Sequence, residues 1–222
     1  MNRIIPQLPA ISSQLSAILF LFILFQLSCK QEEQKSPEKN EPVTPVKTSP
    51  SEKSRVFTTQ SGKVFELNED SNEDGMYDFH LVPKGFEFSK DTLIIAEADP
   101  LNRAFLADLD ENGFEEIYVI TTSVGSGSYG NIYGYSSNAD KSISPIYIAP
   151  INENDLSPGG LFEGYMGHDS IYLDEGVLMR KFPVYLEGDP NCCPTGGYKQ
   201  LVYKLHPGEA NWILKGEVHS KN

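Results

Sequence analysis

Short runs of alternating apolar and polar residues, separated by turn residues, dominate the chain from Phe57 onwards. A period of two is typical of strands with one buried face, and no stretch carries a helical period of useful length. The pattern therefore predicts an all-β fold, a small antiparallel β-sandwich or barrel. The predicted strands are Val64–Leu67, Met76–Val82, Thr92–Ala96, Arg103–Ala107, Glu116–Thr121, Asn131–Tyr135, Ile143–Ile148, Ser170–Leu173, Gly176–Leu186, Tyr198–Leu205 and Trp212–Val218.

The segment Val124–Gly130 separates two of these strands and consists mainly of glycine and serine around Tyr129. Small residues between two alternating runs indicate the tip of a β-hairpin. We therefore expect a protruding Gly/Ser/Tyr loop on flexible backbone. An aromatic side chain exposed at such a tip is unfavourable unless a partner covers it, so the loop is a candidate binding element.

The same loop matches the pattern G-x-G-x-x-G, which also occurs in nucleotide-binding proteins. The dinucleotide version needs a helix after the glycines, whereas Asn131–Tyr135 is predicted to be a strand. The kinase version needs further motifs that this chain lacks. The remaining alternative is a turn that binds nothing.

The N-terminus has the features of a bacterial lipoprotein signal peptide, predicted over residues 1–28. Leu15–Phe25 forms an apolar segment too short to span a membrane comfortably. Leu27-Ser28-Cys29 then resembles the end of a lipobox, although Gln26 stands where leucine is preferred, so we predict cleavage before Cys29 and its lipidation. An ordinary signal peptide or an uncleaved anchor is the alternative, and each places the rest of the chain outside the cytoplasm.

Residues 29–55 are rich in Pro, Lys, Glu and Ser and lack aromatic residues. Such a composition cannot bury enough apolar surface to fold, so this segment is predicted to be a disordered tether. Residues 56–222 have the composition of one globular domain. The formal net charge of −13 argues against nucleic acid as a ligand and favours a basic partner protein, or serves solubility alone.

Two acidic loops have oxygen-bearing side chains at alternating positions around a glycine. The first, Asp70–Asp78, reads D-x-N-x-D-G-x-x-D, and the second, Asp108–Glu116, reads D-x-D-x-N-G-x-x-E. Both lack the bidentate glutamate of a helix-loop-helix calcium site, which excludes that type of site. The two remaining interpretations are a Ca²⁺ site flanked by strands and an Asx-turn that holds no ion. Of the two loops, the first is the stronger candidate for binding Ca²⁺, and its predicted ligands are Asp70, Asn72, Asp74 and Asp78. No other cofactor is expected.

Support for catalysis is weak. His168-Asp169 offers a base and an orienting carboxylate, but adjacent residues on an extended chain point in opposite directions. Gly167-His168-Asp169 is more typical of a turn. Cys192 and Cys193 leave three states open: two free thiols, a vicinal disulfide or a bridge between chains.

Several blocks of the chain, taken together and in order, resemble the bacterial periplasmic inhibitors of invertebrate-type lysozyme, the PliI family. The resemblance covers roughly residues 60–218. Its blocks are Asp108–Tyr135, Lys141–Pro150, Gly164–Asp169, Lys181–Tyr185 with Gly188-Asp189, and Pro194–Lys215.

This resemblance implies a small antiparallel β-structure, often a homodimer, without enzymatic activity. It also implies that Ser126, Gly127, Ser128 and Tyr129 form the loop that enters the lysozyme cleft. The protein would then act in the periplasm or at the cell surface of a Gram-negative bacterium, lipid-anchored to the outer membrane, and would protect peptidoglycan. Chicken-type lysozyme inhibitors carry a similar loop, so the surrounding blocks decide the class. The alternatives are a calcium-binding surface lipoprotein or adhesin module, and an enzyme of unknown class.

Overall fold

The computed structural model describes residues 53–208 and 212–219, all within one unit of the chain, Lys47–Asn222. The predicted signal peptide, Cys29 and almost all of the predicted tether lie outside the described residues. The predicted all-β fold is confirmed. Its elements are β1 (Lys53–Thr58), β2 (Val64–Ser71), β3 (Tyr77–Lys84), β4 (Leu93–Ala98), β5 (Leu101–Ala107), β6 (Glu116–Thr122), β7 (Gly130–Asn138), β8 (Ser142–Ile148), α1 (Glu153–Leu156), β9 (Ser170–Asp174), β10 (Val177–Pro183), β11 (Tyr198–Pro207) and β12 (Trp212–Val218).

The strands form two sheets. Strands β1 to β4 follow one another in an antiparallel four-stranded sheet. The other eight strands form a curled half-barrel in the order β5-β6-β7-β8-β12-β11-β10-β9. The short helix α1 begins at Asn152, whose side chain accepts hydrogen bonds from the backbone of Asn154 and Asp155. Among the described residues, no helix has the length and apolar character needed to cross a membrane.

One strand pair departs from the predicted antiparallel arrangement. β12 runs parallel to β8, with Trp212 to Leu214 beside Ile146 to Ile148. A parallel neighbour requires a long crossover connection, and here residues 149–211 provide it. This crossover contains α1 and strands β9 to β11, and these three strands extend the larger sheet beyond β12.

Residues of both sheets share the first of two cores, which we call the inter-sheet core. The alternation of buried and less buried residues in β2 and β3 points one face of the four-stranded sheet at the barrel. Its buried members are Phe65, Leu67, Phe79, Leu81, Phe86, Ile95, Ala98, Ile117, Val119 and Tyr135.

The concave side of the half-barrel contains the second core, which we call the barrel core. It is filled by inward-facing side chains from most strands of the larger sheet and from the segment before β9. Its buried members are Ala107, Tyr118, Ile120, Ile132, Ile146, Phe162, Ile171, Leu178, Phe182, Leu201, Tyr203, Leu205 and Leu214.

Strand β6 belongs to both cores. Ile117 and Val119 contribute to the inter-sheet core, whereas Tyr118 and Ile120 contribute to the barrel core. All four side chains are at most 1 % exposed. A strand with two buried faces has little freedom to shift its register, so β6 gives the hairpin that follows a fixed base.

The first strand was not among the sequence-based predictions. β1 begins at Lys53, inside the predicted tether, and pairs with β2 from Lys53↔Glu69 to Thr58↔Val64. The folded domain therefore starts before the predicted boundary at residue 56. The composition of Lys53-Ser54-Arg55 is that of the tether, and only pairing with β2 orders these residues as a strand.

Removing a side chain from the inter-sheet core should destabilise the domain strongly. We expect Phe65→Ala to lower the free energy of unfolding by about 3–5 kcal/mol, because Phe65 is fully buried and its loss leaves a cavity. The matched control is Phe88→Ala, whose side chain is 69 % exposed and which should change stability by only about 0.5 kcal/mol. Urea unfolding followed by tryptophan fluorescence measures both, and equal losses would contradict the two-sheet core.

Candidate binding site at the β6–β7 hairpin

The predicted hairpin is present, and its loop comprises residues 123–129. β6 and β7 pair from Ile117↔Tyr135 to Thr122↔Gly130. Two hydrogen bonds then close the loop: Ser123 N donates to Tyr129 O (2.8 Å), and Tyr129 N donates to Ser123 Oγ (2.8 Å). The backbone of Tyr129 is therefore held on both sides by one serine.

The loop folds back on itself more than the sequence predicts. Gly125 and Ser128 have positive φ angles of 140° and 44°, and a Cβ on Gly127 would lie only 2.3 Å from Cε2 of Tyr129. The aromatic ring thus covers Gly127, and any larger residue at this position would displace the Tyr129 ring. Tyr129 is 44 % exposed, as expected for a side chain at the loop tip, and the rest of its surface is covered.

A buried ion pair holds the base of the loop. Asp169 Oδ1 accepts a hydrogen bond from Gly130 N (2.8 Å), and Arg180 Nη2 donates one to Gly130 O (3.0 Å). Asp169 and Arg180 also pair with each other, and their side chains are 0 % and 6 % exposed. Both backbone polar groups of the first residue of β7 are therefore fixed by two opposite charges. We call these three residues the Gly130 clamp.

The remaining surroundings of Arg180 compensate for its burial. Its guanidinium donates to Tyr165 Oη (2.7 Å) and Tyr203 Oη (3.4 Å) and lies 5.1 Å from the ring centres of Phe162 and Tyr165. Burial opposes the charge, but Tyr203, Asp169 and Tyr165 outweigh it and raise the pKa of Arg180. Arg180 therefore keeps its positive charge at neutral pH.

The segment Tyr165–Asp169 supports the other side of the loop. His168 N donates a hydrogen bond to Gly127 O (2.6 Å), and the Tyr129 and Tyr165 rings meet edge to face with centres 5.7 Å apart. Gly167 has a φ of 87°, and a Cβ there would come within 2.0 Å of Gly127 O. Close backbone approach thus requires glycine at position 167.

Chemical groups suited to binding remain on the outer surface of the loop. Ser126 is exposed, and neither its hydroxyl nor that of Tyr129 has a hydrogen-bond partner among the described residues. Val124, in the loop, is 79 % exposed, and Met166, in the supporting segment, is 42 % exposed. The loop therefore presents two free hydroxyl groups, and exposed apolar side chains lie in the loop and in its supporting segment.

A second loop borders this surface. The Asp189 carboxylate accepts hydrogen bonds from Leu186 N and Thr195 N (both 2.8 Å), which lower its pKa. Tyr185 precedes this loop and lies beside His168, with ring centres 6.3 Å apart. The loop also carries the two adjacent cysteines, which are free and exposed.

His168 and Asp169 do not form a catalytic pair. Asp169 directs its carboxylate to Gly130, Tyr165 and Arg180, whereas His168 is exposed and has a positive φ of 54°. These residues form a turn that supports the loop, as the second interpretation of the sequence predicts.

The first acidic loop has the hydrogen bonds of an Asx-turn. Asn72 Oδ1 accepts from Asp74 N (3.0 Å) and Met76 N (2.9 Å), and Asp78 Oδ1 accepts from Glu97 N (2.8 Å). Asp70 and Asp78 lie opposite each other on β2 and β3. The four predicted ligands thus take part in hairpin geometry, and Ca²⁺ binding there stays a prediction.

The second acidic loop brings its carboxylates closer together. Oxygen atoms of Asp108, Asp110 and Glu116 all lie within 4.8 Å of one another in the turn from β5 to β6. Glu116 is fully buried, and burial, followed by the negative charges of Asp110 and Asp108, raises its pKa to about 8. The structure thus brings three carboxyl groups together in the second loop, and Ca²⁺ binding in either loop stays a prediction.

Sequence reasoning did not identify Arg180 or Tyr165 as functional residues. Arg180 lies in the mainly apolar strand β10, beside Lys181, and a charged residue in such a run is an indication of a buried partner. Its carboxylate partner, Asp169, directly precedes β9, which pairs with β10, whereas the contact with Gly130 depends on tertiary structure because β10 and β7 are distant in the chain.

Breaking the Gly130 clamp should destabilise the protein. We expect Arg180→Ala to lower the free energy of unfolding by about 3–5 kcal/mol, because it leaves the Asp169 carboxylate buried without a counter-charge. The control is Lys204→Ala, which removes an ion pair with Glu217 that is more than half exposed on both sides and should cost at most about 1 kcal/mol. Urea unfolding compares them, and an equally small loss for both variants would argue against the clamp.

Comparisons of the chain with models of protein families, with curated proteins and with solved structures found no match. The resemblance to lysozyme inhibitors therefore stays a prediction from the sequence blocks. The fold and the geometry of the hairpin are the other observations on which a function can be argued.

Proposed function

We propose that this protein is an inhibitor of lysozyme, specifically of invertebrate-type lysozyme, and that it acts without catalysis. It would insert the loop Ser126-Gly127-Ser128-Tyr129 into the active-site cleft of the enzyme. The observation that carries this proposal is a narrow, well-supported hairpin tip on which the hydroxyl groups of Ser126 and Tyr129 are free.

The chemistry of the loop suits the chemistry of the target. A lysozyme cleft contains two carboxyl groups that flank the glycosidic bond to be cut. Hydroxyl groups donate hydrogen bonds to carboxylates and also accept them from protonated carboxyl groups. Ser126 and Tyr129 could therefore bind both catalytic groups and exclude the sugar and the water that hydrolysis requires.

The order of the loop favours tight binding. A loop that must be fixed on binding loses affinity through the conformational entropy of its residues. Here Ser123, His168 and the Gly130 clamp already hold the backbone of residues 127–130. The exposed surfaces of Val124 and Met166 would add apolar contact around the hydrogen bonds.

The charge and the predicted anchor fit an extracytoplasmic inhibitor. A net charge of −13 would attract a basic enzyme over a distance of about 8–10 Å in physiological salt. A lipid on Cys29 and a tether up to β1 would keep the domain at the outer membrane, within reach of lysozyme that attacks peptidoglycan. The homodimer implied by the resemblance belongs to the same proposal.

The enzyme class is tested by direct inhibition. Residual activity of purified invertebrate-type and chicken-type lysozymes is measured at rising concentrations of the protein. We expect stronger inhibition of the invertebrate-type enzyme, because the blocks around the loop resemble inhibitors of that class. Equal or reversed inhibition would overturn the assignment of class, and inhibition of neither enzyme would overturn the proposed function.

Tyr129 should contribute most of the binding free energy from the loop. We expect Tyr129→Ala to weaken inhibition about thirtyfold or more, since a central tyrosine commonly contributes ~2 kcal/mol or more. Ser126→Ala should cost about 1–2 kcal/mol, as expected for a hydrogen bond to a charged group. Tyr129→Phe separates the hydroxyl from the ring, which also packs on Tyr165.

The matched control for these variants is again Phe88→Ala. Phe88 is an exposed aromatic residue hydrogen-bonded to Lys141 in the β7–β8 turn, at the end of β7 away from the loop. It should leave inhibition unchanged. Inhibition by a folded Ser126→Ala/Tyr129→Ala variant at the level of the wild type would show that the loop is not the inhibitory element.

Membrane attachment should depend on Cys29. We expect Cys29→Ala to move the protein from the membrane fraction to the soluble fraction, because acyl chains supply the affinity for the bilayer. Mass spectrometry of the mature N-terminus detects the lipid directly. An unmodified N-terminus with unchanged fractionation would argue against lipidation.

A further inference from the structure

The turn from β5 to β6 concentrates negative charge in a way that the proposed inhibitor function does not use. Within residues 53–208 and 212–219, carboxylate oxygens of Asp108, Asp110 and Glu116 all lie within 4.8 Å of one another. The ion pairs found in the same part of the chain include none of these three residues. Their mutual repulsion is therefore not offset by a neighbouring lysine or arginine.

Glu116 provides a second and independent observation. Its side chain is 0 % exposed, and Oε2 accepts hydrogen bonds from Leu109 N (2.9 Å) and Tyr118 Oη (3.5 Å). Oε1 is also buried but has no hydrogen-bond partner. A buried polar atom without a partner is unfavourable, and one oxygen of the same carboxyl group lies beside the two aspartates, so Glu116 has an unused capacity to bind a ligand there.

Backbone groups hold the two aspartates in position. Asp108 accepts hydrogen bonds from Asn112 N (3.0 Å) and Gly113 N (2.8 Å), and Asp110 accepts from Asn112 N (3.2 Å) and Asn112 Nδ2 (2.8 Å). Each carboxylate oxygen has two lone pairs, so one accepted hydrogen bond leaves room for another interaction. The carboxylates are thus oriented before any ligand arrives.

We propose that Asp108, Asp110 and Glu116 bind a divalent cation, with Ca²⁺ preferred over Mg²⁺. Ca²⁺ takes six to eight oxygen ligands in a flexible geometry, so water and nearby carbonyl oxygens can complete a set of three carboxylates. Mg²⁺ requires a near-ideal octahedron and loses its water reluctantly. The cation neutralises the cluster and provides the missing partner for Glu116.

The expected role of the cation is structural. Asp108 follows β5 and Glu116 is the first residue of β6, so a shared ion joins the strand ends at the start of the strand that serves both cores. The hairpin loop lies at the other end of β6. The proposal of cation binding therefore does not rest on the proposed inhibitor function, and an experiment can contradict one of the two proposals without affecting the other.

Thermal unfolding of the purified full-length chain, followed by tryptophan fluorescence, tests the proposal. After treatment with a chelator, we expect about 10 mM CaCl₂ to raise the Tm by about 3 °C or more, as a dissociation constant of ~0.1–1 mM predicts. The same concentration of MgCl₂ should have a much smaller effect. No shift with either salt would overturn the proposal.

Variants assign the effect to residues. Asp110→Asn and Glu116→Gln should each weaken Ca²⁺ binding at least about tenfold, because each replaces a carboxyl ligand with a neutral amide. Asp74→Asn is the matched control, since it makes the same change in the first acidic loop and should retain the wild-type response. A Ca²⁺ response that is lost in Asp74→Asn and kept in Asp110→Asn would place the site in the first loop and overturn the assignment.

Terbium luminescence gives a readout that does not depend on stability. Tb³⁺ binds to calcium-type oxygen sites and is excited by nearby tyrosine, and Tyr118 is hydrogen-bonded to Glu116. We expect sensitised emission that Ca²⁺ displaces and that Tyr118→Phe reduces. Emission unchanged in Tyr118→Phe and in Asp110→Asn would show that the ion binds elsewhere.

Discussion

The buried pair of Asp169 and Arg180 is the interaction on which the candidate binding surface depends. Burying two charges is unfavourable unless their remaining hydrogen-bonding groups are also satisfied. Here Gly130, Tyr165 and Tyr203 satisfy them, and these residues come from separate parts of the chain. Because Gly130 supplies two of the hydrogen bonds in this network, the buried pair fixes the start of β7 and with it the position of Tyr129.

The two-sided burial of β6 extends this constraint into the fold. Its side chains alternate between the inter-sheet core and the barrel core, so a change of register would move apolar residues of both cores at once. The loop is thus supported by a rigid strand before it and by a charged clamp after it. Between these two supports, only the outer side chains of the loop remain free to meet a partner.

Local patterns were sufficient to predict the hairpin and most strands, because alternation and turn residues are local properties. They were not sufficient for β1, which is a strand only through its pairing with β2, or for the parallel β8–β12 pair, which depends on the order of distant strands. The contact of Asp169 and Arg180 with Gly130 is likewise tertiary. The two acidic loops have similar patterns, and the second is distinguished by the close approach of its carboxylates and the burial of Glu116.

The central claim is that the hairpin loop occupies the sugar-binding cleft of a lysozyme. Binding of the protein to invertebrate-type lysozyme can be measured by titration calorimetry with and without a saturating N-acetylglucosamine oligosaccharide in the cleft. Competition for one site predicts that the apparent Kd rises in proportion to the concentration of the oligosaccharide. An apparent Kd that the oligosaccharide leaves unchanged would contradict insertion of the loop into the cleft.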